Sequence, residues 1–489
     1  MLGSTPRLRH GFSSPGELAP WWLTGDAVTS RGNGEGRVEV VQIIIVGGGL
    51  VGTTLAEKLS GDGHDVSLVE HDPRGAAELS ATLDVRIVEG NGATASTLRR
   101  AGAADASLVV ATTDSDEVNF VTGRIAASMF KVPRVVVRLR DPDHEEAFHE
   151  LSRGDAVEIF CVNPEMAAVD KVASLLEVPS ALDVVSFMEG ELLVAGFRIT
   201  ESSEFAERPV SDMDLFFAET PSLVAAIHRG DRTVVPHGEE EIRAGDIVYF
   251  AIERSDLEGM LELMGAPPEA RHRVMIAGAT RIGLALARRL EGSKSRVTLI
   301  EPDADLARRA AESLADTMVV SGPVTGESLL REAEVERVDT FVAVTAEHET
   351  NLVACLLTKR LGAGRAFALV DNPALANLIG ETAIDAIISP RLLAIGLILQ
   401  HIPGARVHSM AALLGDRVEV MEAEAVKGSR IVSGLLSEVS LPRGVLVGAL
   451  RRNGSLLVPR GTDRVEPGDR VLLIATTESA AKLTEFLTG

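Results

Sequence analysis

At 489 residues the chain is too long for one hydrophobic core, and about 150 residues per domain points to three or four units. Apolar residues make up 45% of it, which excludes a disordered chain, and a formal charge of −23 excludes the basic stripe that a nucleic-acid backbone requires. Such acidity reads as a solvated surface or as a surface that docks on something basic. No run reaches the roughly 18 apolar residues of a membrane span. The nearest, Leu392 to Leu399, stops at Gln400 and His401, so no direct membrane insertion is expected. The two cysteines, Cys161 and Cys355, lie far apart in sequence. They exclude a disulfide framework, fit a reducing compartment, and each reads as a core residue.

Residues 1–40 differ in kind. They hold Trp21 and Trp22, many Gly, Ser and Pro, and no apolar periodicity, and are expected to be a disordered extension. No long apolar segment follows a basic start, which excludes a secretory signal. The alternative is a start codon at Val41, leaving a chain that opens on a strand.

From there strands and helices alternate. Gln42–Val46 is a continuous apolar run, as expected for a strand buried on both faces of a parallel sheet. Leu50–Leu59 has helical spacing, Val66–Val69 reads as strand and Gly75–Thr82 as helix. Val85–Val88, Leu108–Ala111 and Val135–Val137 continue the strands. This alternation predicts an α/β fold with a doubly wound, Rossmann-like parallel sheet. A helical stretch, Pro164–Leu176, follows, and then short strands broken by Gly, Pro and charged turns, which suit a small α+β module.

The whole pattern then recurs. Gln42–Gly52 aligns with Arg273–Gly283, Val66–Asp72 with Val297–Asp303, and Val110–Asn119 with Val342–Asn351, at an offset of 231 or 232 residues. Val224–Val248 aligns with Val447–Val471 at an offset of 223, and a second helical stretch, Pro390–Gln400, precedes that copy. The order A-B-A-B implies duplication of a two-domain unit. The expected boundaries are 41–160 for the first Rossmann-like domain, 161–180 for a connecting helix and 181–265 for the first small domain. The second half repeats them as 272–388, 389–404 and 405–489.

Gly47, Gly48, Gly49, Leu50, Val51 and Gly52 satisfy G-x-G-x-x-G, after a strand and at the opening of a helix. Gly47 permits the tight turn, Gly49 lets the backbone approach a pyrophosphate, and Gly52 allows close helix–strand packing, with the helix N-terminus facing the phosphate charge. Glu70 ends the second strand eighteen residues after Gly52, where an acid accepts hydrogen bonds from ribose hydroxyls. A carboxylate there would repel a 2′-phosphate, which favours NAD over NADP, while ATP presents the same ribose and stays open as a ligand. Thr113, Asp114 and Asn119 follow the fourth strand, where they read equally as ligand contacts or, at Thr113 or Asp114, as a helix cap. Gly90-Asn91 borders the adenine or makes a turn.

The second copy departs from this pattern. Gly278, Ala279, Thr280, Arg281, Ile282 and Gly283 place a threonine where the middle glycine stood, and Glu301 keeps the acid. Leu369 replaces Arg138, a cation able to pair with phosphate, and Gly322-Pro323 replaces Gly90-Asn91, so nucleotide binding in this copy stays open. Signals for catalysis are missing: no His-x-x-x-His, no Gly-x-Ser-x-Gly, and a single tyrosine, Tyr249, in an expected strand of the small domain.

The A-B-A-B order, the Ile-Val-Gly-Gly-Gly-Leu-Val-Gly run ending at Gly52, Val-Glu70-His-Asp72, Glu89-Gly-Asn-Gly-Ala93, Thr113-Asp-Ser-Asp-Glu-Val-Asn119 and Val137-Arg138 together resemble the TrkA family. These are peripheral subunits of Trk potassium-uptake systems, with two regulator-of-K⁺-conductance (RCK) units. The resemblance runs from about Val41 to the C-terminus. It implies a ring-forming homo-oligomer, expected to be a tetramer, that binds NAD(H), with ATP or ADP as the alternative. It implies a place on the cytoplasmic face of a K⁺-translocating membrane subunit, which the ring gates. Cofactor contacts are implied at Gly47–Val51, Glu70, Thr113, Asp114 and Arg138, and at Gly278–Ile282 and Glu301 in the second half. The helical stretches after each A unit resemble the family's crossover helices, through which units pair. A second reading is an NAD-dependent oxidoreductase, and a third is a nucleotide-sensing regulator of another cation transporter. On any of these readings nucleic acid is not a partner.

Overall fold

The computed structural model describes residues 40–489 except 179, 217–221, 231, 266–271, 294, 373–374, 376–383, 403–406, 414–417, 477–478, 480–485 and 487–489. The expectation for the first forty residues falls outside these, save for residue 40.

Strand β1 (Gln42–Val46) carries Ile43, Ile44 and Ile45 with no exposed surface, so both of its faces must be covered. A central place in a parallel sheet does this. β1 pairs in parallel with β2 (Asp65–Glu70) on one side. With β3 (Arg86–Glu89), β4 (Leu108–Ala111), β5 (Arg134–Arg138) and β6 (Glu158–Val162), the order is β3-β2-β1-β4-β5-β6. Order reverses between β1 and β4, which opens a crevice at the strand C-termini, the usual seat of a ligand in such sheets. The second copy repeats the order about its own first strand, Arg273–Ala277.

Two elements differ from expectation. Ile159–Val162 belongs to a sixth parallel strand, β6, paired with β5, so the connecting segment drawn from residue 161 opens in that strand, while the helix starts at Pro164 as expected, capped by Asn163. The helix expected from Gly75 starts at Pro73, because the Asp72 carboxylate accepts from the Gly75 amide and Pro fits the first helical turn. Of the cysteines, Cys355 is buried as expected but Cys161 is half-buried; burial, with Glu145 adding, pushes the Cys161 thiol up to about 12.

Each small domain is built on a five-stranded antiparallel sheet, and the first adds a two-stranded sheet and the helix Leu257–Leu263, as an α+β module should. The same hub closes a turn in both: the Arg229 guanidinium grips Asp246 through two nitrogens at 2.7 Å, and Arg452 grips Asp469 at 2.9 and 2.7 Å. The two five-stranded sheets share one apolar core, in which Phe187, Val194 and Tyr249 meet Val418, Leu472 and Ile474. A charged cluster at the edge of that core joins them: Glu189 accepts from Arg451 at 2.9 Å and Arg470 at 2.7 Å, and buried Glu422 accepts from the Met188 amide.

The connecting helices are exchanged between halves. The first, Pro164–Glu177, packs on the second dinucleotide-type domain, where Asp170 pairs with Arg289 and the Leu175 carbonyl accepts from Arg365 at 3.0 Å. The second, Pro390–Leu399, packs on the first, where Ala394, Ile395, Ile398 and Leu399 join Ile43, Val51 and Leu55 in one core. The buried face of the apolar run Leu392–Leu399 is covered from within the chain. Beyond it, His401 stacks on Phe160 with centroids 3.8 Å apart, and its carbonyl accepts from Arg134 at 3.0 Å. Burial, reinforced by the Arg134 charge, lowers the His401 imidazole from 6.5 to about 4. Between those values the unfolded chain binds a proton that the folded chain refuses, so this contribution to stability is complete above 6.5 and is lost as pH falls toward 4. Replacing His401 by Phe keeps the stack and removes the titration. Urea unfolding compared at about pH 7 and about pH 5 is therefore expected to show a smaller acid-induced loss for His401→Phe than for the native chain.

Candidate dinucleotide site

The first loop is built around Gly47, whose φ of +112° is a left-handed backbone, and Gly52, where an added Cβ would lie 1.9 Å from the Gly47 carbonyl. Above Gly49 there is open space: a Cβ there meets nothing within 4 Å. The helix that follows, Leu50–Gly61, has no side-chain cap at Gly49. An uncapped helix N-terminus presents amides that need an acceptor, together with the positive end of the helix dipole. A phosphate fits both requirements.

Glu70 is engaged before any ligand arrives. One carboxylate oxygen accepts from the Gly48 amide and the other from the Asp72 amide, both at 2.8 Å, with His71 at 2.9 Å from the second. These bonds hold the glycine loop against the end of β2. A carboxylate has about four lone-pair directions, so ribose hydroxyls still find acceptors there.

Thr113, Asp114 and Asn119 divide into different roles. Asn119 is fully buried and makes a pin: its Oδ1 accepts from the Thr113 amide at 2.8 Å and hydroxyl at 2.7 Å, and its Nδ2 donates to the carbonyls of Thr113 and Arg138 at 2.9 Å. It therefore fastens the ends of β4 and β5 together and has no hydrogen left for a ligand. The helix cap is neither Thr113 nor Asp114 but Ser115, which accepts from the Val118 amide. Asp114 is almost fully exposed and pairs with Arg138 at 3.0 Å, whose Nε is buried without a partner. Gly90 meets the Glu70 carbonyl through its amide at 2.8 Å, and Asn91 bonds within its own turn.

A second arginine at this mouth was not singled out by sequence. Arg140 donates to the Asp114 carbonyl and to Asp116, and Asp116 also accepts the amides of Arg140 and Asp141 at 2.8 and 2.9 Å. Burial opposes ionisation of Asp116, but those hydrogen bonds outweigh it and hold its carboxyl below the usual range. The alternation Arg138-Leu139-Arg140 put both arginines on one side of the strand end, and that was the available clue. Glu165, at the start of the first connecting helix, had none. It pairs at 3.0 Å with Arg281 of the second glycine loop, and burial raises its carboxyl despite Arg281 and Arg140 nearby.

The second loop has the same turn, with Gly278 at φ +108°, and the same pin, Asn351 joining Thr345 to the Leu369 carbonyl. Glu301 accepts from the Ala279 amide at 2.7 Å and the Asp303 amide at 2.9 Å, as Glu70 does in the first copy, and is buried. Thr280 makes the difference. Its hydroxyl donates to the Val344 carbonyl at 2.8 Å and accepts from the Gly283 amide at 3.2 Å, so it caps its own helix and offers a ligand no proton. Ile282 is buried, and Arg281 is turned to Glu165.

This is a class of protein with paired dinucleotide-type domains, each coupled to a small antiparallel module. The TrkA-N domain family matches residues 43–158 and 274–390, and the TrkA-C domain family matches 194–265 and 420–488. The chain is 32% identical to the Trk system potassium uptake protein TrkA of Azorhizobium caulinodans over 450 residues, covering 91% of this chain and 98% of that one. It is 30% identical to the Vibrio alginolyticus protein of the same name over 451 residues, with the same coverage. The chain belongs to the TrkA family. Among solved structures, the GsuK RCK domain shares the fold at 18% identity and a TM-score of 0.58, covering 92% of this chain and 95% of that one. The GsuK channel bound to NAD does so at the same identity and TM-score, covering 91% and 79%.

The pin is expected to matter for stability in both copies. Asn119→Ala strips partners from the Thr113 amide and from two part-buried carbonyls, which should cost about 2–5 kcal/mol, and Asn351→Ala should cost a similar amount. Urea unfolding, with hydrogen exchange of β4 and β5, would measure it.

Proposed function

We propose that this chain is the nucleotide-sensing regulatory subunit of a Trk-type potassium uptake system and that its first glycine loop is the tighter ligand site. The observation that carries this reading is the uncapped helix N-terminus beneath open space at Gly49, flanked by Glu70 and Arg138. Gly47–Gly52 would hold a pyrophosphate, Glu70 the ribose hydroxyls, and Arg138 with Asp114 and Thr113 the rim. The second loop, Gly278–Gly283 with Glu301, would bind more weakly, since Thr280 already satisfies one amide there.

NAD(H) is the ligand the acid at Glu70 favours, with ATP or ADP presenting the same ribose; a fold relative, the GsuK channel bound to NAD, supports the first. When bound, such a ligand supplies charge and shape to the site, and the reading needs no chemistry of it. Among the described residues no helix is long and apolar enough to cross a membrane. Control of K⁺ flux then passes through a membrane subunit, on whose cytoplasmic face the chain assembles as a homo-oligomeric ring. Ligand biases gating only by binding one conformation better than another, and coupling of about 1–3 kcal/mol per site shifts an open–closed ratio roughly five- to 150-fold.

Calorimetry should find nucleotide affinity strongly reduced by Gly49→Val and reduced less by Thr280→Val. Equal losses would contradict the asymmetry. In vesicles holding the membrane subunit, K⁺ flux should respond to nucleotide with the native chain and lose that response with Gly49→Val. Flux that ignores nucleotide would overturn the regulatory reading.

A further inference from the structure

At the mouth of the second crevice the charges have been rearranged. Leu369 and Asp371 stand where the first copy has Arg138 and Arg140, and His348 stands where it has Asp116. The strand-end cations are gone, and one has become an acid. The helix starts differ in the opposite sense: Glu165, after Pro164, corresponds to Arg391, after Pro390.

Arg391 is held at the ligand end of the second sheet. Its amide donates to the Asp371 carboxylate at 3.1 Å, which Ser389, the helix cap, also bonds at 2.8 Å. That fixes the residue just beyond the C-terminus of strand Arg365–Leu369, on the side of the sheet where ligands lie. The corresponding Glu165 shows where such a side chain reaches, between Arg140 and Asp116 of its own mouth and Arg281 of the opposite loop. The residue opposite Arg391 by the same correspondence is Leu50, which offers no charge.

The Arg391 guanidinium has a buried donor without a partner, its Nε, and among the described residues its side chain has no hydrogen bond or ion pair. A buried donor left without an acceptor is costly, and the planar guanidinium fork matches phosphate oxygens.

We propose that Arg391 is the phosphate-binding cation of the second dinucleotide site, supplied by the connecting helix in place of the two lost strand-end arginines. This rests on the reading of the glycine loops as nucleotide sites and deepens it: the second site takes a phosphate-bearing nucleotide, by a different cation from the first.

The test silences the first loop with Gly49→Val, a position with extended backbone and open space, and titrates the full chain with ADP, NADH and adenosine by calorimetry. ADP and NADH are expected to bind the Gly49→Val chain. Adding Arg391→Ala should weaken both roughly ten- to hundred-fold, leave adenosine unchanged, and be partly rescued by Arg391→Lys. Unchanged ADP affinity in Gly49→Val/Arg391→Ala would overturn the proposal. An equal loss for adenosine would do so too, since it would mark a structural role. A folded Gly49→Val chain that binds no ADP would also overturn it while leaving the first site standing. A native chain that binds no nucleotide would overturn the reading of both loops.

Discussion

The structure depends on one constraint: neither dinucleotide-type domain can cover its own sheet and first helix without the connecting helix of the other. Ile398, with no exposed surface, belongs to the same core as Ile43 and Leu55, although it lies in the second half of the sequence. Val169 and Val172 of the first helix belong likewise to the core around Ile276 and Leu286. Each helix is thus a structural part of the domain it does not follow. The small domains repeat the arrangement with a shared core, so the chain closes on itself at both levels. The Glu165–Arg281 pair and the side chains packed along the connecting helices join each glycine loop to the other half.

Within that pseudo-symmetric frame the two loops have diverged in how they treat the helix N-terminus. In the first copy no side chain caps it. In the second, a threonine hydroxyl satisfies one of its amides, and an arginine at the next position is turned to a glutamate of the other half. The acids Glu70 and Glu301 serve both copies as clamps on the loop backbone, a role that requires no ligand and explains why the acid persists where the middle glycine does not.

Much of this was legible in the sequence because it is local. Continuous apolar strands, glycines at fixed spacing and an acid at a strand end are patterns that short-range sterics impose, and repetition at a constant offset doubled the signal. What stayed hidden were contacts between distant residues. Leu392–Leu399 is apolar enough to need cover, but nothing local in it says that the cover lies in the other half of the same chain. Asn119 read as a ligand contact because its position is right, while its hydrogen bonds are spent on two strand ends. Ile159–Val162 was too short and too close to a helix for its pairing with β5 to be read from periodicity. Glu165 and Arg391 gave no local signal, since their significance comes from what faces them across the halves.

If nucleotide in the first loop biases gating, it must favour one arrangement of the two halves over another, and their spacing is the quantity to read. Spin labels placed at Glu78 and Arg309, equivalent exposed positions on the second helix of each copy, would read that spacing in a chain whose Cys161 and Cys355 are replaced by alanine. The distance distribution should shift on saturation with NADH or ATP, and the shift should vanish with Gly49→Val. A distribution that stays the same while calorimetry shows the nucleotide bound would contradict the account.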